Sequence, residues 1–401
     1  MDNRSVEKTM NVVFIMSAYF PYGAAFSSRA RYFSLLLNNL GYHVHVIAPK
    51  GSKHKEPSLN GGKITIQRVR DTNNWASLSG IGTHKPYMEA LEKYAESNKI
   101  DFVFSSSMVF VADEISAFCK KQGIPYFIEQ CEWYDKSIFK GGALNPYYRE
   151  HIRRIKKKNC KLDGIIAISR LFYDHYTAQG AKCIRIPTIL DKNETKARIE
   201  GSLEKEVHLV FAGSLGKGKE QLEPVLKALL NVNKSGKRIV LDIYGPSEKQ
   251  VIENITSNTS LYQNVKAFVT VHGRIPQEEI EDVVRKADFT IFIRPDRRSS
   301  NAGFPTKFAE SMMAGTPVIT NNTGDISLYL QNGVNGYMIS ENVEADLEKT
   351  FNKIRELSDE QYEKMRANAR NTAEEHFDFR RYEESVKDMI NSVSARRKEK
   401  L

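Results

Sequence analysis

The 401-residue sequence predicts an α/β protein built from two doubly wound domains. Three observations carry that prediction. Short apolar strands alternate with amphipathic helical stretches along the chain, the pattern of parallel sheets covered on both faces. The alternation is interrupted by the polar stretch DKNETKARIEGSLEKE (191–206) and then restarts. The length suits two cores better than one.

In the first half, strands are expected at VVFIM (12–16), HVHVIA (43–48), ITIQRV (64–69), FVFS (102–105), YFIE (126–129), GIIAI (164–168) and CIRIP (183–187). Helical patterns lie between them, such as SSRARYFSLLLNNL (27–40), which Gly41 ends. The second set of strands is HLVFAG (208–213), RIVLDIYG (238–245), VKAFVTVHG (265–273), DFTIFIR (288–294) and PVIT (317–320). Polar helical patterns from Glu344 to Leu401 close the chain. Ligands of such sheets bind beyond the carboxyl ends of the strands. Two facing domains would therefore place a site in the cleft between them.

Composition excludes several classes. Hydrophobic content of 41% and charged content of 27% are ordinary for a globular protein. No apolar run approaches the ~18 residues of a spanning helix. The start, MDNRSVEKTMNVVFIM, is polar and enters a strand directly, unlike a secretory signal. Cys119, Cys131, Cys160 and Cys183 form no CxxC pair and are expected to be free thiols in a reducing cytoplasm. The net charge of +10 is uneven: residues 1–190 hold 27 Lys+Arg against 16 Asp+Glu, and the remainder 32 against 33. The densest part, YYREHIRRIKKKNCKL (147–162), is expected to be a basic amphipathic helix, with Tyr148, Ile152, Ile155 and Leu162 on one face. It suits an anionic membrane surface, peripherally bound, or else the solvated face of a domain. No recognition motif accompanies the charge, so nucleic acid is not an expected partner.

The stretch NAGFPTKFAESMMAGTPVIT (301–320) predicts a glycine loop, a helix and a strand. Pro305 suits the first helical position, and Gly315 and Pro317 end the helix about three turns later. Phe304, Phe308, Ala309, Met312 and Met313 recur at helical spacing and supply a face to bury. The amides of Thr306, Lys307 and Phe308 then lack partners within the helix, which makes a phosphate site. Thr306 and Glu310 share the other face, so a carboxylate stands one turn along to accept from sugar or ribose hydroxyls. The alternative is a capped helix in which Glu310 pairs with Lys307.

Gly213–Glu220, GSLGKGKE, follows a strand and nearly matches a nucleotide phosphate loop. Glu220 stands where that loop has Ser or Thr, which argues against an ATPase. The loop still suits an anion: Lys217 or Lys219 can reach a diphosphate, and Gly213 permits close approach. No G-x-G-x-x-G follows the first strand. Gly23 lies in that loop instead, with Ser27 and Ser28 as candidate helix caps. The nine histidines are scattered, without HExxH or an Asp-x-Asp pair, so no metal site is expected. FIEQCEWYDKS (127–137) gathers Glu129, Glu132, Trp133 and Asp135 after a strand, where acceptor hydroxyls are met in such folds.

Together these motifs resemble the GT-B glycosyltransferases, specifically the retaining family 4. FPTKFAESMMAGTPVI resembles the family's donor-binding signature, and AGSLGKGKEQL its glycine–arginine loop. VHGRIPQEEIEDVVRKADFTIFIRP resembles the segment passing the nucleobase, and TGDISLYLQNGVNGYMI the stretch after it. LNNLGYHVHVI resembles the family's opening. HFDFRRYEESVKDMI (376–390) resembles the helix that crosses back to the first domain. The resemblance implies two Rossmann-like domains facing across a cleft: an acceptor domain at 1–189, a nucleotide-sugar domain at 190–375 and a returning helix at 376–401. It implies that Glu310 binds the donor ribose. The backbone of Gly303, Phe304, Pro305 and Thr306, with Lys307, would hold the diphosphate and sugar beside Gly213 and Ser214. Lys217 or Lys219 would contact the diphosphate, Arg274 would lie near the base, and Arg294 would add positive charge. Gly23, Glu129 and Glu132 would line the acceptor side.

The sequence departs from the family at three points. Ala302 replaces the first signature glutamate, Ser214 replaces the loop arginine, and the serines at 105–107 stand where a histidine is often found. Members that assemble polysaccharides often carry a similar PTK variant. The implied reaction is transfer of a sugar from a UDP- or GDP-linked donor to a hydroxyl of a glycan or lipid-linked acceptor, with retention. It needs no cofactor and no metal. Loss of catalysis to leave a binding module, or epimerisation of a sugar nucleotide on the same fold, are the competing readings.

Overall fold

The structure is a computed structural model, and it describes residues 9–23, 25–50, 63–70, 85–106, 108–203, 206–216, 219–235, 238–255, 260–340 and 343–398. The chain forms two compact units, Met1–Ile189 with Phe379–Leu401, and Leu190–Asp378.

The first unit holds a seven-stranded sheet of β1 (Asn11–Ile15), β2 (His43–Pro49), β3 (Ile64–Val69), β4 (Phe102–Ser106), β5 (Tyr126–Gln130), β6 (Gly164–Ala167) and β7 (Cys183–Arg185). Its order is β3-β2-β1-β4-β5-β6-β7, and every pairing is parallel. The second unit holds six strands: β8 (Glu206–Ala212), β9 (Arg238–Tyr244), β10 (Val269–Gly273), β11 (Phe289–Phe292), β12 (Val318–Asn321) and β13 (Gly336–Ile339). They are again all parallel, in the order β10-β9-β8-β11-β12-β13. Both sheets are doubly wound. The winding reverses between β1 and β4 in the first sheet and between β8 and β11 in the second. A crevice opens at the carboxyl ends of the strands at such a reversal.

Burial explains the apolar strands. Val12 to Ile15, Val207, Leu209, Ile239, Ile243, Phe289, Val318 and Ile319 are all fully buried. The expected strand at 265–273 is shorter. Leu261, Tyr262 and Val265 bury at helical spacing, so Leu261–Val265 is a helix and β10 starts only at Val269. β13 was not anticipated. It is four residues long and opens on Gly336, where a Cβ would stand 2.4 Å from the Val318 carbonyl oxygen. Glycine, a poor strand former, is what allows that pairing.

Two helices differ from expectation in the first unit. The helix after β1 runs Ala25–Asn39, so Ser27 and Ser28 lie inside its first turn rather than capping it. The basic stretch is not one helix. It is an α-helix over Pro146–Arg153, a π turn over Arg154–Lys158 and a 3-10 turn over Asn159–Lys161. The π turn carries Arg154 inward, where it is 3% exposed and donates to Asp113 Oδ1 at 2.8 Å. Lys158 bridges Asp113 and Glu150. Two of the seven basic residues are thus internal ties, while Arg149, Arg153, Lys156, Lys157 and Lys161 remain exposed. The helix Glu383–Lys398 belongs to the first unit, where Glu383 accepts from Asn39 at 3.0 Å. Among the described residues, no helix is long and apolar enough to cross a membrane.

Candidate active site

The crevice between β8 and β11 collects most of the second-unit residues singled out above. β8 ends in Ala212 and passes into a loop whose amides are tied to its neighbours. Gln221 N–H donates to the Ile293 carbonyl at 2.8 Å, and Leu222 N–H to Asn254 Oδ1 at 2.9 Å. Asn254 Nδ2 returns a bond to the Glu220 carbonyl at 3.1 Å. Gly213 lies against Gly245, where a Cβ would stand 2.0 Å from the Gly213 carbonyl oxygen.

β11 passes into a loop that is equally fixed. Arg294 exchanges two bonds with Asn321: its N–H donates to Oδ1 at 2.9 Å, and its carbonyl accepts from Nδ2 at 2.7 Å. Its guanidinium is buried and donates to the Ser300 carbonyl at 3.3 Å. Ala302, Gly303, Phe304 and Pro305 are all buried. Phe304 anchors the loop in an aromatic cluster, 5.5 Å from the rings of Tyr329 and Phe377 and 5.8 Å from Phe308. Each such pair adds about 0.5–1.5 kcal/mol beyond area burial.

The helix that follows, Thr306–Met313, is eight residues, closer to two turns than three. Pro305 is its N-cap, with extended backbone at φ −73 and ψ 112, rather than its first helical residue. The Phe308 amide is not open as expected: it donates to the Pro305 carbonyl at 3.0 Å. Thr306 and Lys307 supply the remaining amides of the opening turn. Phe308, Ala309, Met312 and Met313 are fully buried, which turns Thr306, Lys307 and Glu310 away from the core.

Lys307 does not pair with Glu310. Its ammonium reaches over Gly213 to Glu220 Oε1 at 3.0 Å. It lies 4.6 Å from the ring centre of Phe211 and 5.2 Å from that of Phe292. A Cβ on Gly213 would stand 2.7 Å from Nζ, so this glycine makes room for the lysine. Burial lowers the Lys307 pKa; Glu220 opposes that, and the nearby cations Lys219 and Arg294 add to it. The half-buried Glu310 carboxyl is pushed up to about 7, mainly by burial, with Lys307 opposing and Glu281 adding. Near neutral pH such a carboxyl can both donate and accept hydrogen bonds.

Ser214 and Lys219 are exposed on the loop. Arg274 is exposed just beyond β10, two strands away from β8. Lys217 lies outside the described residues. Glu220 was noted in the sequence only as a mismatch to a phosphate loop. Its partner lies 87 residues away, and no local pattern announces the pair.

The first-unit candidates are placed differently. Gly23 is exposed in the loop after β1. Glu129 closes the expected strand as part of β5, fully buried and 3.0 Å from Arg29 Nε. Burial raises its pKa against the pull of Arg29. Arg29 also donates to the carbonyls of Ile186 and Pro187, so Glu129 helps join the first helix to the segment after β7. Glu132 is half-buried, next to Trp133, which stacks on Phe172 at 5.5 Å. Ser105 is buried and shares a 2.7 Å bond with Tyr126 Oη. Among the described residues, no group of three or more His, Cys, Asp or Glu is placed to hold a metal ion.

Residues 192–372 match the family model of glycosyl transferases group 1. This stretch is similar to group 1 glycosyltransferase domains. It contains the Gly213–Glu220 loop and the Thr306–Met313 helix. No curated protein matches the sequence. Among solved structures, sucrose-phosphate synthase from Thermosynechococcus elongatus aligns with a TM-score of 0.71 at 13% identity, covering 96% of this chain and 99% of its own. HepE from Anabaena, in complex with UDP and glucose, aligns at 0.67 and 14% identity, covering 96% and 100%. WaaG, a glycosyltransferase involved in lipopolysaccharide biosynthesis, aligns at 0.62 and 15% identity, covering 94% and 99%. At these identities the likeness shows the fold, which is GT-B: two Rossmann-like α/β domains.

Proposed function

We propose that this chain transfers a sugar from a nucleotide-diphosphate sugar to a hydroxyl of a glycan or lipid-linked acceptor, in assembly of lipopolysaccharide or a related surface polysaccharide. The observation that carries the reading is Lys307, set over Gly213 at the β8–β11 reversal of a domain similar to group 1 glycosyltransferases. Lys307, Lys219 and Arg294 concentrate positive charge at this crevice, where a diphosphate would be received. Glu310, one turn along the helix, would bind the donor ribose. UDP is the favoured nucleotide, since HepE of the same fold was solved with UDP-glucose, and GDP is the second choice.

In the proposed reaction the bond from the anomeric carbon to the diphosphate oxygen breaks, and the acceptor oxygen bonds on the same face. The acceptor proton passes to the leaving diphosphate. The configuration is retained, as in family 4, and no protein nucleophile or metal takes part. The protein's part is to neutralise the charge that develops on the diphosphate and to align the acceptor. The first unit would bind that acceptor near Gly23 and Glu132.

The acceptor side would work at the cytoplasmic face of a membrane. Five exposed cations, Arg149, Arg153, Lys156, Lys157 and Lys161, lie close in sequence to Leu144, which is 81% exposed, and Ile138, which is 50% exposed. Each cation near an anionic surface contributes about 1 kcal/mol.

The test is calorimetric titration and hydrolysis assay of the purified protein with UDP, GDP, ADP and dTDP sugars. Binding of one donor, with turnover unaffected by chelator and a product of unchanged anomeric configuration, is expected. A folded protein that binds none of them overturns the reading.

A further inference from the structure

Glu220 takes no part in the chemistry above, yet a carboxylate inside a diphosphate site needs a reason, because it repels the ligand. It is 2% exposed, and its backbone is held on both sides by Asn254 and by the bond from Gln221 to Ile293. Its Oε1 is 3.0 Å from Lys307 Nζ, while its Oε2 is buried without a hydrogen-bond partner among the described residues. Lys307 needs an anion there. Its ammonium lies over the rings of Phe211 and Phe292 beside Gly213; the ring faces favour the cation, but burial favours the neutral amine. The other charged groups acting on it are Lys219 on the same loop and Arg294 after β11, which disfavour its charge. Glu310, on its own helix with Glu281 beyond, makes no hydrogen bond to it and has its own pKa raised to about 7.

We propose that Glu220 is a positioning residue for sugar transfer: it keeps the Lys307 ammonium charged and fixed over Gly213 until the donor diphosphate arrives. This rests on the glycosyltransferase reading. A neutral lysine would contribute no charge to the leaving diphosphate, so Glu220 would preserve catalysis at the cost of some donor affinity.

The test uses the full chain labelled with 13C-lysine. The Lys307 resonance, identified by its loss in Lys307→Arg, is titrated by NMR from pH 6 to 11. UDP affinity is measured by calorimetry over the same range. In Glu220→Gln the Lys307 midpoint should fall by at least one pH unit, and the alkaline loss of UDP affinity should move with it. Below both midpoints the variant should bind UDP at least as tightly as the wild type. Glu220→Asp should restore most of the midpoint, and Glu220→Gln/Lys307→Gln should show no alkaline limb. An unchanged Lys307 midpoint in folded Glu220→Gln overturns the role of Glu220, whatever the UDP result. A shifted midpoint in a protein that binds no UDP or nucleotide sugar overturns the glycosyltransferase reading instead, and the role in transfer with it.

Discussion

The Lys307 ammonium stands 3.0 Å from the Glu220 carboxylate, in space that any side chain on Gly213 would take. Two loops, one after β8 and one after β11, are locked together at this point. The pair links a rigid scaffold to the charge that a phosphate ligand would meet.

Gly213 and Gly245 should therefore respond differently to alanine. In Gly245→Ala the new Cβ meets the Gly213 backbone at 2.0 Å, with φ at +110. The cost should be about 3 kcal/mol or more, since backbone must move and the conformation disfavours a side chain. In Gly213→Ala the clash is with the end of the Lys307 side chain, which can move, although φ at +155 still disfavours a side chain. Urea unfolding should show a smaller loss than Gly245→Ala, about 1–2 kcal/mol, while donor affinity falls at least tenfold. Equal destabilisation by both substitutions would contradict this picture.

Glu310→Ala should weaken nucleotide-sugar binding by about tenfold to a hundredfold, the value of hydrogen bonds to a charged or strongly polar group. Calorimetry with the preferred donor reads this directly. Unchanged affinity would remove Glu310 from the donor site.

Glu310 also gives stability a pH dependence. Its pKa rises from 4.5 in the unfolded reference to about 7 in the folded chain, so the folded state holds the extra proton between those values. Stability from this group is greatest below pH 4.5, falls as pH rises to 7, and is level above it. Glu310→Gln should remove that loss. The urea midpoint of the variant should gain on the wild type between pH 5 and pH 7.5.

The basic segment should divide into two classes. Arg154→Ala should destabilise the protein by about 1.5–3 kcal/mol, because it strips a charge-assisted bond from Asp113 beside Glu150. Neutralising Arg153, Lys156 and Lys157 together should leave thermal stability nearly unchanged, because all three are exposed. It should reduce binding to anionic vesicles at least tenfold. Equal vesicle binding would leave these cations as a solvated face.

The alternation of apolar and polar segments placed twelve of the thirteen strands among the described residues, most within two residues. β13 escaped because its opening glycine earns its place through Val318, a partner 18 residues away in the chain, and not through β propensity. The basic segment was legible in charge but not in shape: only packing against Asp113 shows that Arg154 and Lys158 face inward. Glu129 was legible as the end of a strand, but its partner Arg29, 100 residues away, was not.

By itself, the sequence determined the two doubly wound domains, the glycine loop, the helix that follows Pro305 and the side of that helix on which Glu310 stands. These depend on local periodicity and turn chemistry, which neighbouring residues encode. Only the tertiary structure decided that Lys307 belongs to Glu220 rather than to Glu310. That choice is made across two strands of a sheet, where burial makes an ion pair necessary and a missing side chain at Gly213 makes it possible.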